Sequence, residues 1–488
     1  MKLLYLASEV APFSKTGGLA DVAGALPGAL ARAGCQVIVA TPLYRSVDRA
    51  RHGLERKPET LSVPLAGRTL EAHVHEARLP GRVAVFFIER DGFFGRDGLY
   101  DERGEPFADN AERFAFFSRA SLELCRFLDS PPDVVHANDW QTALAPYYLG
   151  QALADDPLFA STRSVFTVHN LAYQGLCPGS AAAALGLDEA QLGFDRLEFY
   201  GQLSLIKAGL LDADHLTTVS PRYASEIQTP EYGEGLDGLL RERAGALTGI
   251  LNGVDYGVWN PVRDPHLAAP YGPADRSGKT RCRDDLVAGL ALKAEPATPI
   301  AGMISRLTEQ KGIDLVVEAI DGLLDLGLCL AILGTGAPSL EGQLTELAAR
   351  HPGRLGLRLA HDESLARRVL AGADLLLMPS RYEPCGLNQL HAMKYGTIPV
   401  VRATGGLHDT VRDLDADPEQ GNGFKFEAYE PSALLDAVSR ALACRREPEA
   451  WNALVERAMR ADFSWDASAA RYVELYRNLV SARPLESA

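Results

Sequence analysis

Near its N-terminus the chain carries the apolar run LLYLA (residues 3–7), followed seven residues later by KTGGLAD (residues 15–21). Apolar positions then recur at helical spacing and share one face, formed by Leu19, Val22, Ala23, Leu26, Ala29 and Leu30. A strand, a glycine pair and a helix in this order predict a βα unit whose helix begins at Gly17 and Gly18. The first N–H groups of a helix lack intrahelical partners, so this start can bind an anion, and Lys15 adds a positive charge. The alternative is a plain turn with a solvated lysine, because short glycine motifs also occur by chance.

Length and composition indicate a globular protein with more than one core. The chain has 488 residues, of which 47% are hydrophobic, and this length favours two domains over one. Its 49 Lys and Arg against 64 Asp and Glu give a net charge of −15, which disfavours a nucleic-acid or membrane surface as partner. Basic residues that cluster at one place therefore carry weight.

The cysteines and the N-terminus indicate a cellular compartment. Seven scattered cysteines without a C-x-x-C pair favour free thiols in a reducing compartment and no structural metal. The N-terminus lacks the layout of a signal peptide, and no apolar run is long enough to span a bilayer. We therefore expect a cytoplasmic protein.

Short apolar runs alternate with helical patterns along both halves of the chain. In the first half they cover residues 3–7, 37–40, 83–88, 134–135, 165–168 and 216–219; in the second half, 300–304, 328–333, 355–359, 375–378 and 398–401. Continuous rather than alternating hydrophobicity is typical of strands whose sheet is covered by helices on both faces. The helical patterns between them include residues 313–326 and 341–349. The sequence therefore predicts an α/β protein with two doubly wound domains.

The domain boundaries follow from where this alternation stops. Residues 260–299 are rich in Pro, Asp and Ala with little periodicity, which indicates connecting loops just inside the second domain. Residues 467–480 have helical periodicity, and we expect this helix to pack back across the junction. The predicted division is 1–250, 251–465 and a C-terminal helix in 466–488.

Polar residues directly follow several of the apolar runs. In open parallel sheets, ligands bind beyond the carboxyl ends of the strands. HANDW (136–140) and His169 follow runs of the first domain; Arg306, Lys311 and RYEPCGLN (381–388) follow runs of the second. We expect both sets to face a shared cleft.

Two of these residues in the first domain have structural alternatives. His136 is equally well explained as a buried core histidine. Asp139 can be a helix cap or a functional carboxylate. His169 stands at the very end of a strand and is followed by Asn170. The hydrogen-bonding groups of this polar pair are hard to satisfy without a ligand or partner.

The second domain offers charges suited to a phosphorylated sugar. Arg306 and Lys311 can form a solvated face, but their place around a loop at a strand end favours joint neutralisation of a diphosphate. Glu383 can stabilise a turn, yet it stands beside a predicted helix start with the N–H groups of Cys385, Gly386 and Leu387. That arrangement suits sugar hydroxyls next to a phosphate. The Cys385 thiol is interpreted as a packing group.

Seven stretches together resemble the glycogen and starch synthase family of retaining glycosyltransferases. They are KTGGLADV (15–22), HANDW (136–140), TVHNLAYQG (167–175), ILNGVD (250–255), SRL with QKG (305–307 and 310–312), SRYEPCGL (380–387) and TGGL (404–407). The family's order and approximate spacing are kept almost from end to end, which makes a chance match implausible. The resemblance implies the GT-B fold, two Rossmann-like domains that face a deep cleft.

The resemblance also implies the substrates and the roles of individual residues. The implied donor is ADP-glucose and the implied acceptor is the non-reducing end of an α-1,4-glucan, with no metal or other cofactor. By position, the implied donor-binding residues are Lys15, Gly17, Gly18, Asp139, Asn252, Arg306, Lys311, His361, Glu383, Cys385, Gly386, Leu387, Thr404 and Gly405. His169, Arg306, Lys311 and Glu383 are the expected catalytic residues, with His169 orienting the sugar.

Two positions depart from the family's pattern. His361 stands where many relatives have an aromatic residue suited to stacking on adenine, which weakens the prediction of base preference. Asn388 stands where bacterial relatives often have Thr, although an amide can still donate and accept. The alternatives are a transferase of the same fold using another nucleotide sugar, and a glucan-binding protein without activity. A phosphorylase is disfavoured because no lysine context for pyridoxal phosphate is visible.

Overall fold

The predicted βα unit at the N-terminus is present in the structure, a computed structural model that describes residues 1–102 and 104–482. Strand β1 (Lys2–Leu6) is followed by helix α1 (Gly18–Arg32), with Gly17 at its N-cap. All six residues of the predicted apolar face are buried. The glycine pair therefore begins a helix, as predicted.

The chain folds into two units. Among the described residues, the first contains Met1–Val219, Ala224–Gly253 and residues 465–482; the second contains Ser220–Tyr223 and Val254–Ser464. The sequence places the boundaries after residues 250 and 465, whereas the junctions of these units lie after residues 253 and 464.

The first unit is built on a mixed nine-stranded sheet. In chain order its elements after α1 are β2 (Gln36–Pro42), β3 (Glu55–Leu65), β4 (Arg68–Arg78), β5 (Ala84–Glu89), α2 (Asp91–Phe94), β6 (Asp101–Glu102), β7 (Glu105–Pro106), α3 (Asn110–Phe127), β8 (Val134–Asn138), α4 (Leu144–Gly150), β9 (Arg163–Val168), β10 (Leu176–Pro178), α5 (Ala182–Leu185), β11 (Glu198–Phe199), β12 (Gln202–Ser204), α6 (Leu205–Asp212), β13 (His215–Thr218), α7 (Pro221–Glu226), α8 (Asp237–Glu242) and β14 (Leu247–Gly249). The first three residues of α7 belong to the second unit. The order in the sheet is β14-β13-β9-β8-β1-β2-β5-β4-β3, and β10, β12 and β11 form a small antiparallel sheet.

Six of the seven parallel strands of the large sheet match the predicted apolar runs, and the short β14 does not. The antiparallel hairpin β3–β4 at its edge was also not predicted. Most residues of β3 are exposed, so this strand lacks the continuous apolar run by which the other strands were predicted.

The second unit is built on a six-stranded parallel sheet. Its elements are α9 (Ser277–Gly289), β15 (Ile300–Ile304), α10 (Ile313–Asp325), β16 (Cys329–Leu333), α11 (Pro338–Arg350), β17 (Leu355–Arg358), α12 (Glu363–Gly372), β18 (Leu375–Met378), α13 (Asn388–Lys394), β19 (Ile398–Arg402), α14 (Gly405–Thr410), β20 (Phe424–Phe426), α15 (Pro431–Arg445) and α16 (Pro448–Arg460). The order is β17-β16-β15-β18-β19-β20, and each pair is parallel. All five predicted strands of this half are confirmed.

The prediction of loops throughout residues 260–299 is wrong. Helix α9 occupies Ser277–Gly289 within that range and buries only Gly278, Cys282 and Leu286. These residues are spaced four apart and form one narrow stripe. Such a stripe leaves too weak a periodic signal to stand out in a polar segment.

The C-terminal helix α17 (Trp465–Ser481) packs on the first unit. Near its start, Arg32 of α1 pairs with Asp466 at 2.6 Å, and further along, Tyr476 bonds His136 of β8. All seven Cys residues lie in the described ranges and form no disulfide there, and six of them are buried. In residues 1–102 and 104–482, no helix is long and apolar enough to cross a membrane.

Each sheet has a point at which the strand order reverses. In the first unit it lies between β1 and β8, and in the second between β15 and β18. Loops leave in opposite directions at such a point and open a crevice beyond the carboxyl ends of the strands. The candidate site residues of each unit lie at these ends.

Candidate active site

The Lys-Thr-Gly-Gly loop after β1 is shaped by a buried carboxylate. Glu9 is only 3% exposed and accepts hydrogen bonds from the backbone N–H groups of Thr16 and Gly17 and, at 2.8 Å, from the Thr16 hydroxyl. The Tyr100 hydroxyl donates to the same carboxylate at 2.9 Å. Two amides of the predicted anion cradle are therefore bound within the protein, and they set the shape of the loop.

The outer side of this loop is open. Gly17 and Gly18 are exposed, and a Cβ added to either would meet no atom within 4 Å. Lys15 is 42% exposed and pairs with Asp21 at 2.7 Å. A ligand can therefore approach the backbone at the two glycines with a lysine beside it.

Asp139 lies at the end of β8 in an unusual backbone conformation. Its φ of 56° is rare for a residue other than glycine and is typical of functional sites. The carboxylate does not cap the following helical turn but accepts the His169 backbone N–H at 2.7 Å. Burial, helped by the negative charge of Glu9, raises the pKa of Asp139 to about 7, and the hydrogen bonds from His169 and Asn170 only partly oppose this rise. The cap interpretation of Asp139 is therefore wrong.

His169, at the end of the neighbouring strand β9, is held as a neutral imidazole. Its Nε2 lies 2.9 Å from Asn138 Oδ1, which also accepts the Tyr5 hydroxyl at 3.1 Å, while Asn138 Nδ2 donates to the Leu6 carbonyl. An amide oxygen only accepts, so Nε2 carries the proton and Nδ1 keeps a lone pair. Burial lowers the pKa of His169 to about 3.

His136 is a core histidine. It is fully buried, with Nδ1 at 2.6 Å from the Tyr476 hydroxyl and Nε2 at 2.6 Å from Thr167 Oγ1. Burial lowers the pKa of His136 to about 3. Both ring nitrogens are used within the protein, which settles the alternatives left by the sequence in favour of a structural role.

Asn252 lies three residues after β14 and is buried. Its side-chain oxygen has no hydrogen-bond partner within the described ranges. A buried polar atom without a partner needs an explanation, and a ligand hydroxyl is one.

In the second unit the structure brings Lys311 and Glu383 into direct contact. Lys311 Nζ lies 2.6 Å from Glu383 Oε2, and Ser380 Oγ donates to the same oxygen at 3.1 Å. The Glu383 side chain is 7% exposed and that of Lys311 is 19% exposed. A cation and a carboxylate predicted separately, 72 residues apart in sequence, therefore form one charged group beyond the ends of β15 and β18.

The loop carrying Glu383 is pressed against the start of helix α14. The Gly406 N–H donates to the Glu383 carbonyl at 3.0 Å. Gly405 has a φ of 44°, and a Cβ there would lie 2.0 Å from the same carbonyl oxygen. Thr404 is the N-cap residue of α14 and is buried. Only glycine fits at position 405, because both the space and the backbone angle exclude a side chain.

The other predicted residues of the second unit have different surroundings. Cys385 is buried, and Gly386 and Leu387 lead into α13. Arg306 is exposed, with Nη2 at 3.3 Å from Gln310 Oε1. His361 is exposed beyond the edge strand β17.

Asn388, one of the two departures from the family's pattern, makes a structural contact. Its Nδ2 donates to the carbonyl of Ile304, the last residue of β15, at 2.8 Å. The side chain therefore ties α13 to the strand end that precedes Arg306.

Sequence reasoning assigned no role to three residues that shape these sites: Glu9, and the residues Asn138 and Ser380 within the quoted motifs. Each stands within three residues of the end of a parallel strand, which is the one signal that could have identified them. No group of three or more His, Cys, Asp or Glu side chains in the described ranges could hold a metal ion.

Comparisons with known proteins agree with this arrangement. The family model described as the starch synthase catalytic domain matches residues 2–242, and that of glycosyl transferases group 1 matches residues 291–458. The chain is 50% identical to a glycogen synthase of Anaeromyxobacter dehalogenans over 484 residues, 99% of this chain and 100% of that one. It is 48% identical to a glycogen synthase of Myxococcus xanthus with the same coverage.

Solved structures agree as well. The catalytic domain of starch synthase IV from Arabidopsis thaliana, solved with ADP and acarbose, matches with a TM-score of 0.91 and 36% identity, covering 98% of this chain and 99% of that one. A sucrose-phosphate synthase of Thermosynechococcus elongatus, 20% identical with a TM-score of 0.60, shares the fold.

Two Rossmann-like units with charged residues at the switch points of their sheets define a GT-B glycosyltransferase. The chain belongs to the glycogen and starch synthase family and is a retaining glucosyltransferase.

Proposed function

We propose that this enzyme transfers glucose from ADP-glucose to the non-reducing end of an α-1,4-glucan and releases ADP. The observation that carries this proposal is the contact of 2.6 Å between Lys311 and Glu383. It places a cation suited to a departing diphosphate next to a carboxylate suited to sugar hydroxyls.

Lys311 and Arg306 supply positive charge to the leaving group. When the bond between the glucose anomeric carbon and the phosphate oxygen breaks, negative charge grows on ADP. Fixed cations that meet this charge lower the barrier because they act more strongly on the transition state than on the donor. A lysine has three N–H donors, so Nζ can keep Glu383 while it binds phosphate.

Glu383 accepts hydrogen bonds from the donor glucose. Its Oε2 already accepts hydrogen bonds from Lys311 and Ser380, and a carboxylate can accept about four hydrogen bonds in all. The remaining acceptor sites suit two neighbouring sugar hydroxyls. The amides of Cys385, Gly386 and Leu387, together with the α14 start at Thr404 and Gly405, lie beside it in sequence and complete the donor half of the site.

The first unit contributes the remaining polar groups. The open side of the loop at Gly17 and Gly18, with Lys15, binds phosphate. His169 is neutral, so it orients a sugar hydroxyl through a hydrogen bond without adding charge. Asp139 and the unpartnered Asn252 oxygen line the sugar pocket.

Retention of configuration follows from a front-face displacement. The bond from the anomeric carbon to phosphate breaks, the acceptor hydroxyl forms the new bond on the same face, and its proton passes to the departing phosphate oxygen. No carboxylate attacks carbon in this scheme. Trapping a glucosyl adduct on Glu383 would refute it, because a double displacement requires that adduct.

The test is ADP release from ADP-glucose with and without glycogen. Lys311→Ala should lower kcat/KM by ~10²–10³-fold, by analogy with removal of one preorganised donor to a developing charge. Lys57→Ala is the matched control, since Lys57 also forms a close ion pair, with Glu76 on the β3–β4 hairpin. Absence of glucan-dependent ADP release from folded protein would instead favour a glucan-binding protein without activity.

The identity of the base is tested separately. UDP-glucose and ADP-glucose are compared side by side in the same assay. Equal use of both donors would overturn the ADP assignment and leave the reaction class intact. His361→Tyr should raise the preference for ADP-glucose if residue 361 faces the base, since an aromatic ring stacks more strongly than imidazole.

A further inference from the structure

Three side chains of the second unit form a closed cluster next to the Lys311–Glu383 pair. Asp314, in the first turn of α10, accepts a hydrogen bond from Arg381 Nη2 at 2.6 Å and one from the Tyr429 hydroxyl at 2.7 Å. The Arg381 guanidinium carbon lies 4.1 Å from the centre of the Tyr429 ring. Each member therefore contacts both others, by a hydrogen bond or by stacking.

The cluster is tied to both loops that carry the charged pair. The Arg381 N–H donates to the Gln310 carbonyl at 2.9 Å, next to Lys311. At Gly312 the two loops are so close that a Cβ would lie 2.1 Å from the Pro379 carbonyl oxygen. Residues 309–312 and 379–383 are thus joined along their length.

The third strand end is joined to the same cluster. Arg402, the last residue of β19, donates to the Arg381 carbonyl and stacks at 5.6 Å on the Tyr429 ring. Two residues later comes Thr404, at the start of α14. The cluster therefore connects all three segments that form the donor half of the site.

We infer that Asp314, Arg381 and Tyr429 are positioning residues that hold Lys311 at the correct distance from Glu383. Asp314 is three residues after Lys311, and Arg381 is two residues before Glu383, so loss of the bond between them removes one of the contacts that set the distance between the two loops. The inference rests on the proposed function, which makes Lys311 and Glu383 the donor-binding pair. Displacements near 1 Å at a reacting centre cost ~10²-fold in rate.

The test compares three variants with one control. Asp314→Asn and Arg381→Ala should lower kcat/KM for ADP-glucose ~10- to 100-fold, within the range for such displacements. Tyr429→Phe, which keeps the ring but loses one bond, should lower it only a few-fold, about as much as one modest hydrogen bond accounts for. Tyr256→Phe is the control: its hydroxyl bonds the backbone of residues 461 and 463 in the same unit, away from the pair, so kcat/KM should stay at the wild-type value.

A double-mutant cycle with Lys311→Ala separates positioning from general stabilisation. If Asp314 acts through Lys311, Asp314→Asn should have little further effect on kcat/KM or on ADP affinity once Lys311 is removed. Full additivity, or wild-type kcat/KM in both Asp314→Asn and Arg381→Ala, would overturn the inference. Wild-type activity of Lys311→Ala itself is a different result, and it would overturn the proposed role of the pair as well. If Arg381→Ala fails to fold, Tyr429→Phe in the same cycle decides the question.

Discussion

Replacement of Gly405 by alanine tests the close packing between the Glu383 loop and helix α14. The new Cβ would lie 2.0 Å from the Glu383 carbonyl oxygen, and Cβ atoms essentially never approach within 3.0 Å of another atom. The backbone fixes the position of the Cβ, and the oxygen is a backbone atom, so no side-chain rotation relieves the collision. The loop and the helix start must separate by about 1 Å at the residue that we propose to bind the donor glucose.

The expected loss of activity is large while the protein stays folded. A displacement of this size predicts a fall in kcat/KM of ~10²-fold, equivalent to about 2.7 kcal/mol of transition-state stabilisation. The positive φ of 44° adds a strain of about 1–2 kcal/mol for alanine. The free energy of unfolding of an ordinary domain is about 5–15 kcal/mol, so the variant should remain folded.

The assay is glycogen-dependent ADP release, with the melting temperature recorded in parallel. Gly327→Ala is the matched control, because its φ is 88° and a Cβ there would meet nothing within 4 Å. It should share the loss in melting temperature and keep wild-type kcat/KM. A folded Gly405→Ala enzyme with kcat/KM within about three-fold of wild type would refute the reasoning from 1 Å displacements.

Three further variants test the first unit. Burial raises the pKa of Asp139 from 3.8 to about 7, so the wild type loses stability as pH rises through that window. The melting temperature of Asp139→Asn should therefore rise relative to that of the wild type between pH 4 and pH 8. A difference in melting temperature that stays constant over this range would contradict the raised pKa. Tyr476→Phe should lower the free energy of unfolding, measured in urea, by about 1–3 kcal/mol because it leaves His136 Nδ1 buried without a partner, with kcat unchanged. Lys15→Ala should leave the melting temperature nearly unchanged, since exposed ion pairs contribute little to stability. It should raise the KM for ADP-glucose much more than the Kd for glycogen. An equal rise in the KM and the Kd would argue against a role of Lys15 in donor binding.

The strands and helices of both units were largely predictable because their signals are local. A parallel strand covered on both faces is a continuous apolar run, and eleven such runs became strands. The signal failed where it is weak. Strand β3 at the edge of the first sheet is mostly exposed, and α9 buries only three residues.

The sequence predicted which residues belong to the candidate site, but it did not predict which of them contact one another. Glycines and polar residues after apolar runs mark strand ends, and the parallel topology brings strand ends to one edge of each sheet. The contacts of Lys311 depend on a residue 72 positions away, and those of the Lys15 loop depend on Glu9, whose burial no local pattern reveals.

The sequence by itself determined most of the secondary structure, the doubly wound class of both units and the residue types at the strand ends, because each is set by neighbours along the chain. Only the tertiary structure decided which strands are adjacent, that His136 is a core residue, and that Lys311 bonds Glu383. Those outcomes depend on burial and on distances between segments far apart in sequence. These segments come close together only when the chain folds and closes the long loops between them, which costs conformational entropy.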